Sequence, residues 1–340
     1  MTNTIGENRL GLLPITNQDN SECQGHIVFV HGLMGHPITT WYPKIKMDQD
    51  FKKNKYKNIN DDIDSKAFWD NHFHTLEFWP NWLAKERPDM KIWSYGYNAN
   101  FRGDTLSILE TGSNLRSRIE NKELAEKPII FIAYSLGGII VKQMLQTAFT
   151  LKDNSLENQQ IINIPKGIVF LATPHTEPSL SKFVKQFEGL PVAQQAIQIA
   201  TSFISASQFV NALRNEQDKL TETNLFYKNN HKSLNIRTKA FYEKNPINGL
   251  MIVEKDEADP GILGEEPTVA EDTDHETIAK PESWNPNNII QETLLSLINK
   301  VIKSHSTYPS SSPTRPRINL PHNQYESREN SETKNPHWTL

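Results

Sequence analysis

The stretch Ile129-Ile130-Phe131-Ile132-Ala133-Tyr134-Ser135-Leu136-Gly137-Gly138 decides how the rest of the chain is read. Its first four residues are β-branched or aromatic, the composition of a short strand. Continuous rather than alternating apolarity predicts a strand buried on both faces, as in a parallel sheet covered by helices. Beyond the serine, Ile139, Ile140, Met144 and Leu145 recur at helical spacing and predict a helix from Leu136 to Phe149. A serine between a buried strand and a helix, with small residues two positions away on each side, fits a strained turn. Such a turn lifts the hydroxyl above the sheet. Gly137 meets the size requirement, and Ala133 stands where a glycine is usual. Ser135 is therefore the candidate nucleophile, and the helix start beneath it favours developing negative charge.

Working outward, similar runs recur at Ile27 to Val30, Ile92 to Tyr95, Ile168 to Leu171 and Leu250 to Val253, with a weaker one from Ile236 to Tyr242. Each is expected to be a strand. Between them, helices are expected over Phe73 to Glu86, from an Asp104 cap to about Glu126, and over Asn288 to Ser304. Alternation of strand and helix predicts an α/β domain with a mostly parallel sheet and right-handed crossovers. No internal repeat breaks this rhythm.

Three segments depart from it. Residues 44–70 are rich in Lys, Asn and Asp and read as a polar insertion whose charges cancel locally. Residues 180–230 read as a helical cap; from Gly189 to Leu213 they carry no charge, which suits a cover over an apolar pocket. Residues 305–340 are rich in Ser, Pro, Asn and charge and are expected to form a disordered tail. The domain is accordingly expected over 25–304, preceded by an extension over 1–24.

The chain has 340 residues, is 36% hydrophobic and 22% charged, and carries a net charge of −4. Its mean hydropathy is −0.59 and its pI about 6.3. No basic field is present to draw nucleic acid. A lone cysteine, Cys23, rules out an internal disulfide and a cysteine-based zinc cluster. No histidine or carboxylate spacing suits a metal, and no glycine pattern suits a nucleotide, so no cofactor is expected. There is no secretory or transit pattern at the start and no apolar run long enough to span a bilayer. The expectation is an intracellular protein, cytoplasmic by default. Peripheral membrane contact through the uncharged segment stays open, as does the organelle.

Acyl transfer needs amides aimed at an oxyanion. Leu136, just after the serine, is one candidate. Leu33 is the other, in Val30-His31-Gly32-Leu33, where a buried strand runs into a glycine-containing loop. In that loop His31 reads as a support rather than a base. If base and acid follow the serine in the chain, His275 is the best-placed histidine, in a polar loop before the last helix. His175 sits one strand after the serine and reads as structural or pocket-lining. For the acid, Glu243 closes the penultimate expected strand and Asp256 the last, and Glu243 is favoured.

Taken together, these motifs resemble the α/β-hydrolase superfamily. More closely, they resemble the SERAC1-like serine esterase/lipase group, related to lipase-like domains at the N-termini of some fungal NACHT and NB-ARC receptors. The resemblance runs from about Gly25 to Ser304. It rests on Phe29 to Leu33 with Gly35-His36-Pro37 and Thr40-Trp41, on Ile92 to Tyr97, on Tyr134 to Gly138, on Ile168 to His175, on Phe241-Tyr242-Glu243, and on Asp274-His275. It implies an α/β-hydrolase fold with helices on both faces of the sheet. It also implies Ser135 as nucleophile, His275 as base and Glu243 as acid, with Asp256 the alternative, and an ester or lipid substrate. The same triad would serve an amidase or thioesterase, and the same fold an interaction module with little or no activity.

Overall fold

The computed structural model describes residues 10–16, 22–33, 35–43, 78–99, 107–122, 124–154, 156–176, 182–183 and 217–306. The expected insertion over 44–70 and the tail beyond 306 lie outside these residues. So does most of the expected cap, apart from 182–183 and its last stretch.

Seven strands form one sheet: β1 (Gly11–Pro14), β2 (Gly25–Val30), β3 (Met90–Gly96), β4 (Ile129–Tyr134), β5 (Pro165–Leu171), β6 (Arg237–Glu243) and β7 (Thr268–Ala270). Their order is β1-β3-β2-β4-β5-β6-β7, with β1 antiparallel to β3 and every other pairing parallel. This is the α/β-hydrolase arrangement. All residues of β2 and β4 are buried, as their unbroken apolarity requires.

Six helices accompany the sheet among the described residues: α1 (Trp79–Glu86), α2 (Ile108–Asn121), α3 (Leu136–Leu151), α4 (Leu156–Asn163), α5 (Gln217–Asn230) and α6 (Ile289–Ser306). α3 packs against α2, α4 and α5, while α6 lies on β5 and β6. The β5 pleat separates the two groups. A side chain at Gly167 would meet Leu297 of α6, whereas Phe170, on the opposite face, meets Tyr227 of α5. On the α6 side, Arg87 at the end of α1 donates to Asn299.

Several expectations are corrected. The helix expected from Asp104 begins at Ile108; Ser107 caps it, accepting from the Glu110 amide while the Glu110 carboxylate accepts from the Ser107 amide. Asp104 lies outside the described residues. The first strand, β1, falls within what reads as an N-terminal extension; four residues, one of them a glycine, give too little periodicity to see. The last helix continues through Ser306, two residues past the expected domain end.

The largest difference concerns Leu250 to Val253, which form no strand. Ile252 and Val253 are buried, but their amides donate to the Glu243 carboxylate at 3.0 and 2.6 Å rather than to a neighbouring strand. The last strand is instead β7, three residues in a charged stretch, paired so that Glu243 faces Ala270. The approach to the run carried a warning: Asn248 (φ 50°) and Gly249 (φ 80°) turn the chain immediately before it.

Candidate active site

Ser135 stands at the junction of β4 and α3 with φ 52° and ψ −126°, a conformation costly for any residue with a side chain. The turn is held from several sides. The Ser135 amide donates to the Leu171 carbonyl at the end of β5, and the Ser135 carbonyl accepts from the Gly138 amide and the Thr173 hydroxyl. Gly137 is held to its size by the end of β2 and the residue after it. A methyl group there would lie 2.4 Å from the His31 carbonyl oxygen and 2.5 Å from that of Val30, so the glycine lets α3 seat on the end of β2. Ala133 is fully buried and accommodated within β4.

His275 follows β7 by five residues, in a turn organised by Asp274. One Asp274 carboxylate oxygen accepts from the Glu276 amide, the Thr277 amide and the Thr277 hydroxyl. That carboxylate therefore serves the turn. The imidazole lies between two groups brought from elsewhere: Nε2 is 3.2 Å from Ser135 Oγ and Nδ1 is 3.4 Å from Glu243 Oε2. Serine, histidine and glutamate are all buried. The rings of Tyr134 and Phe183 stand 5.4 and 5.6 Å from that of His275. Burial and the nearby carboxylates of Glu276, Glu243 and Asp274 keep the Tyr134 phenol protonated well past its usual range.

The structure brings Ser135, His275 and Glu243 together and leaves Asp256 out. Asp256 closes no strand; it lies exposed on a turn, because the preceding run folds back to hold Glu243. Sequence reasoning missed those holding amides and also missed Thr173. Both act through contacts that no local pattern records.

The loop after β2 supplies the other expected group. The Gly32 carbonyl accepts from the Gly35 amide and from His31 Nδ1, both at 3.0 Å. A trans peptide then turns the Leu33 N–H away from both donors. Gly32 itself abuts the serine: a methyl group there would lie 2.8 Å from Ser135 Cβ. His31 Nε2 accepts from the Tyr97 amide, and the two rings stack at 4.1 Å. The histidine is thus engaged as part of the loop. Leu136 is the first residue of α3, where helix amides lack intrahelical acceptors. Among the described residues, neither the Leu33 nor the Leu136 amide donates to a protein acceptor. Nor do the described residues contain a histidine, cysteine and carboxylate group that could hold a metal ion.

No family model matches the chain. Among curated proteins, zebrafish (Danio rerio) Protein SERAC1 is 25% identical over 278 residues, covering 77% of this chain and 37% of that protein. Human Protein SERAC1 is 27% identical over 165 residues, 46% of this chain and 22% of that protein. The chain thus spans well under half the length of these relatives. Solved structures with similar folds include Legionella pneumophila phospholipase PlaB, 12% identical with a TM-score of 0.45 over 83% of this chain and 61% of that one. Naproxen esterase from Bacillus subtilis is 11% identical with a TM-score of 0.42, over 86% and 89%. The sheet order and strand directions are those of the α/β-hydrolase fold, and the sequence is similar to SERAC1 proteins.

Proposed function

We propose that this chain is a serine hydrolase that cleaves carboxylic esters, with lipid-like esters as its substrate class. The observation that carries the reading is the single imidazole placed between Ser135 Oγ and Glu243 Oε2. In this reading His275 Nε2 takes the serine proton as Oγ attacks the ester carbonyl carbon. Glu243 holds the other ring nitrogen and stabilises the imidazolium that forms. The Leu33 and Leu136 amides receive the oxyanion. The imidazolium then protonates the departing alcohol, leaving an acyl group on Ser135. Water, deprotonated by the same imidazole, releases the acid and restores the serine.

The aromatic rings of Tyr134 and Phe183 beside His275 support an apolar acyl group. Among the described residues no helix is long and apolar enough to cross a membrane. In this reading the hydrolase domain, 25–304 from the sequence, also takes in β1 and the last two residues of α6. The test pairs a fluorophosphonate probe with a panel of p-nitrophenyl esters, and the matching thioester and amide of one acyl group. Wild-type protein is expected to label at Ser135 and turn over the esters fastest. Absence of labelling in folded protein overturns the reading, and a preference for thioester or amide redirects it.

A further inference from the structure

A second buried cluster lies two helical turns beyond Ser135. Lys142 is fully buried in α3. Among the described residues its polar partners are not carboxylates: Nζ meets His175 Nδ1 at 2.6 Å and the Asn224 Oδ1 of α5 at 2.8 Å. The rings of Phe170 and Tyr227 stand 5.2 and 5.1 Å from the same nitrogen. A cation buried without an anion is costly, and folding alone favours an apolar side chain of similar size there. Burial holds the lysine well below its ordinary range, and burial together with Lys142 does the same to His175. The lysine nitrogen meets His175 Nδ1, and His175 Nε2 is buried and unpartnered among the described residues.

What this pair holds is the turn after β5. Ala172 sits at φ 46°, strained as Ser135 is, and the two turns lie side by side. The Ala172 amide donates to Phe241, the Thr173 hydroxyl to the Ser135 carbonyl, and the His175 amide to Glu257. The His175 ring, beside Thr173, gives this turn a second tie to the serine's helix, two turns along α3. Lys142 lies on α3, the helix that begins directly after Ser135.

We infer that Lys142 is a positioning residue for the Ser135 turn, acting through His175 and Thr173 to keep two strained strand ends in register. This rests on the reading of Ser135 as nucleophile for its effect on reactivity, but not for its effect on the turn. The test compares full-length wild type, Lys142→Met and His175→Asn. Asparagine retains an acceptor near the place of Nδ1, whereas methionine removes the donor at similar volume.

Lys142→Met is expected to melt within about 3 °C of wild type or above it. Exchange of the Gly138 and Ala172 amides is expected to speed up roughly tenfold, reporting a loosened turn. Fluorophosphonate labelling of Ser135 is expected to slow roughly tenfold through misplacement of the hydroxyl. His175→Asn is expected to stay near wild type in both. Unchanged exchange in Lys142→Met overturns the inference, as does its failure to fold, since that makes the lysine a folding requirement. Wild type that does not label overturns the hydrolase reading, and the exchange comparison still decides this one.

Discussion

The two ends of the parallel sheet both bury histidines, in opposite electrostatic company. At the carboxyl ends of the strands, His275 lies between a serine hydroxyl and a carboxylate. At the amino ends, His26 accepts from the Trp93 indole beside a cavity of about 400 Å³ whose charged lining is Lys91, Lys122, Lys127 and Glu126. Burial, then Lys91 and Lys127, push His26 down to about 4. Burial alone therefore does not make a histidine a base. A carboxylate neighbour favours the imidazolium a proton transfer creates, whereas lysine neighbours oppose it. Ser135 and Ala172, both at positive φ, follow β4 and β5 at the carboxyl end. Loops and helix starts gather there, which gives these open parallel sheets their sites at that edge.

Substitutions at the two ends should therefore separate chemistry from stability. The largest effect is expected from Ser135→Ala, which should lower ester turnover by on the order of 10⁴-fold or more in steady-state p-nitrophenyl ester assays. Next comes the acid. Glu243→Gln should reduce kcat by roughly 10³- to 10⁴-fold, since a neutral amide neither orients the ring nor offsets its charge. Asp256→Asn, on an exposed turn, should stay within about twofold of wild type. A larger loss in the second variant would move the acid to Asp256 and break the contrast drawn above. At the same edge, Gly137→Ala forces a methyl group against the His31 and Val30 carbonyls. It should cost about 1–3 kcal/mol by denaturant titration, with activity falling alongside because the serine turn shifts.

The amino end should respond to pH instead. The folded protein holds His26 below its unfolded value of 6.5, so the unfolded chain binds more protons between those two values. The His26 contribution to stability is complete above about pH 6.5, falls as pH drops toward 4, and is flat below it. The loss should be about 2–3 kcal/mol, read from urea titrations at pH 7 and pH 4. His26→Asn keeps an acceptor for Trp93 and should remove that part of the acid sensitivity without altering ester turnover at pH 7. A change in turnover would show that the two ends are coupled.

The parts of this site legible in the sequence are those encoded by contiguous pattern. The run into Ala133-Tyr134-Ser135 and the glycines after it announced a strand, a turn and a helix, because both faces of β4 are buried and the turn needs small neighbours. His275 could be placed by order along the chain. Leu250 to Val253 had the same apolar content as the true strands and proved different. Its amides found a carboxylate nine and ten residues back rather than a sheet edge, and a buried carboxylate with two such donors satisfies the backbone as well as a ladder does. β7 was invisible for the converse reason: at the sheet's edge, three residues need little apolarity to pair.

By itself, then, the sequence determined the alternation of layers and the serine's turn, since burial period and residue size are local properties. Only the tertiary structure decided which acid meets His275, what seats Gly137 and why a lysine lies buried beside His175. Each of those depends on strands far apart in the chain lying side by side in the sheet, and on a pairing register that sets Glu243 opposite Ala270.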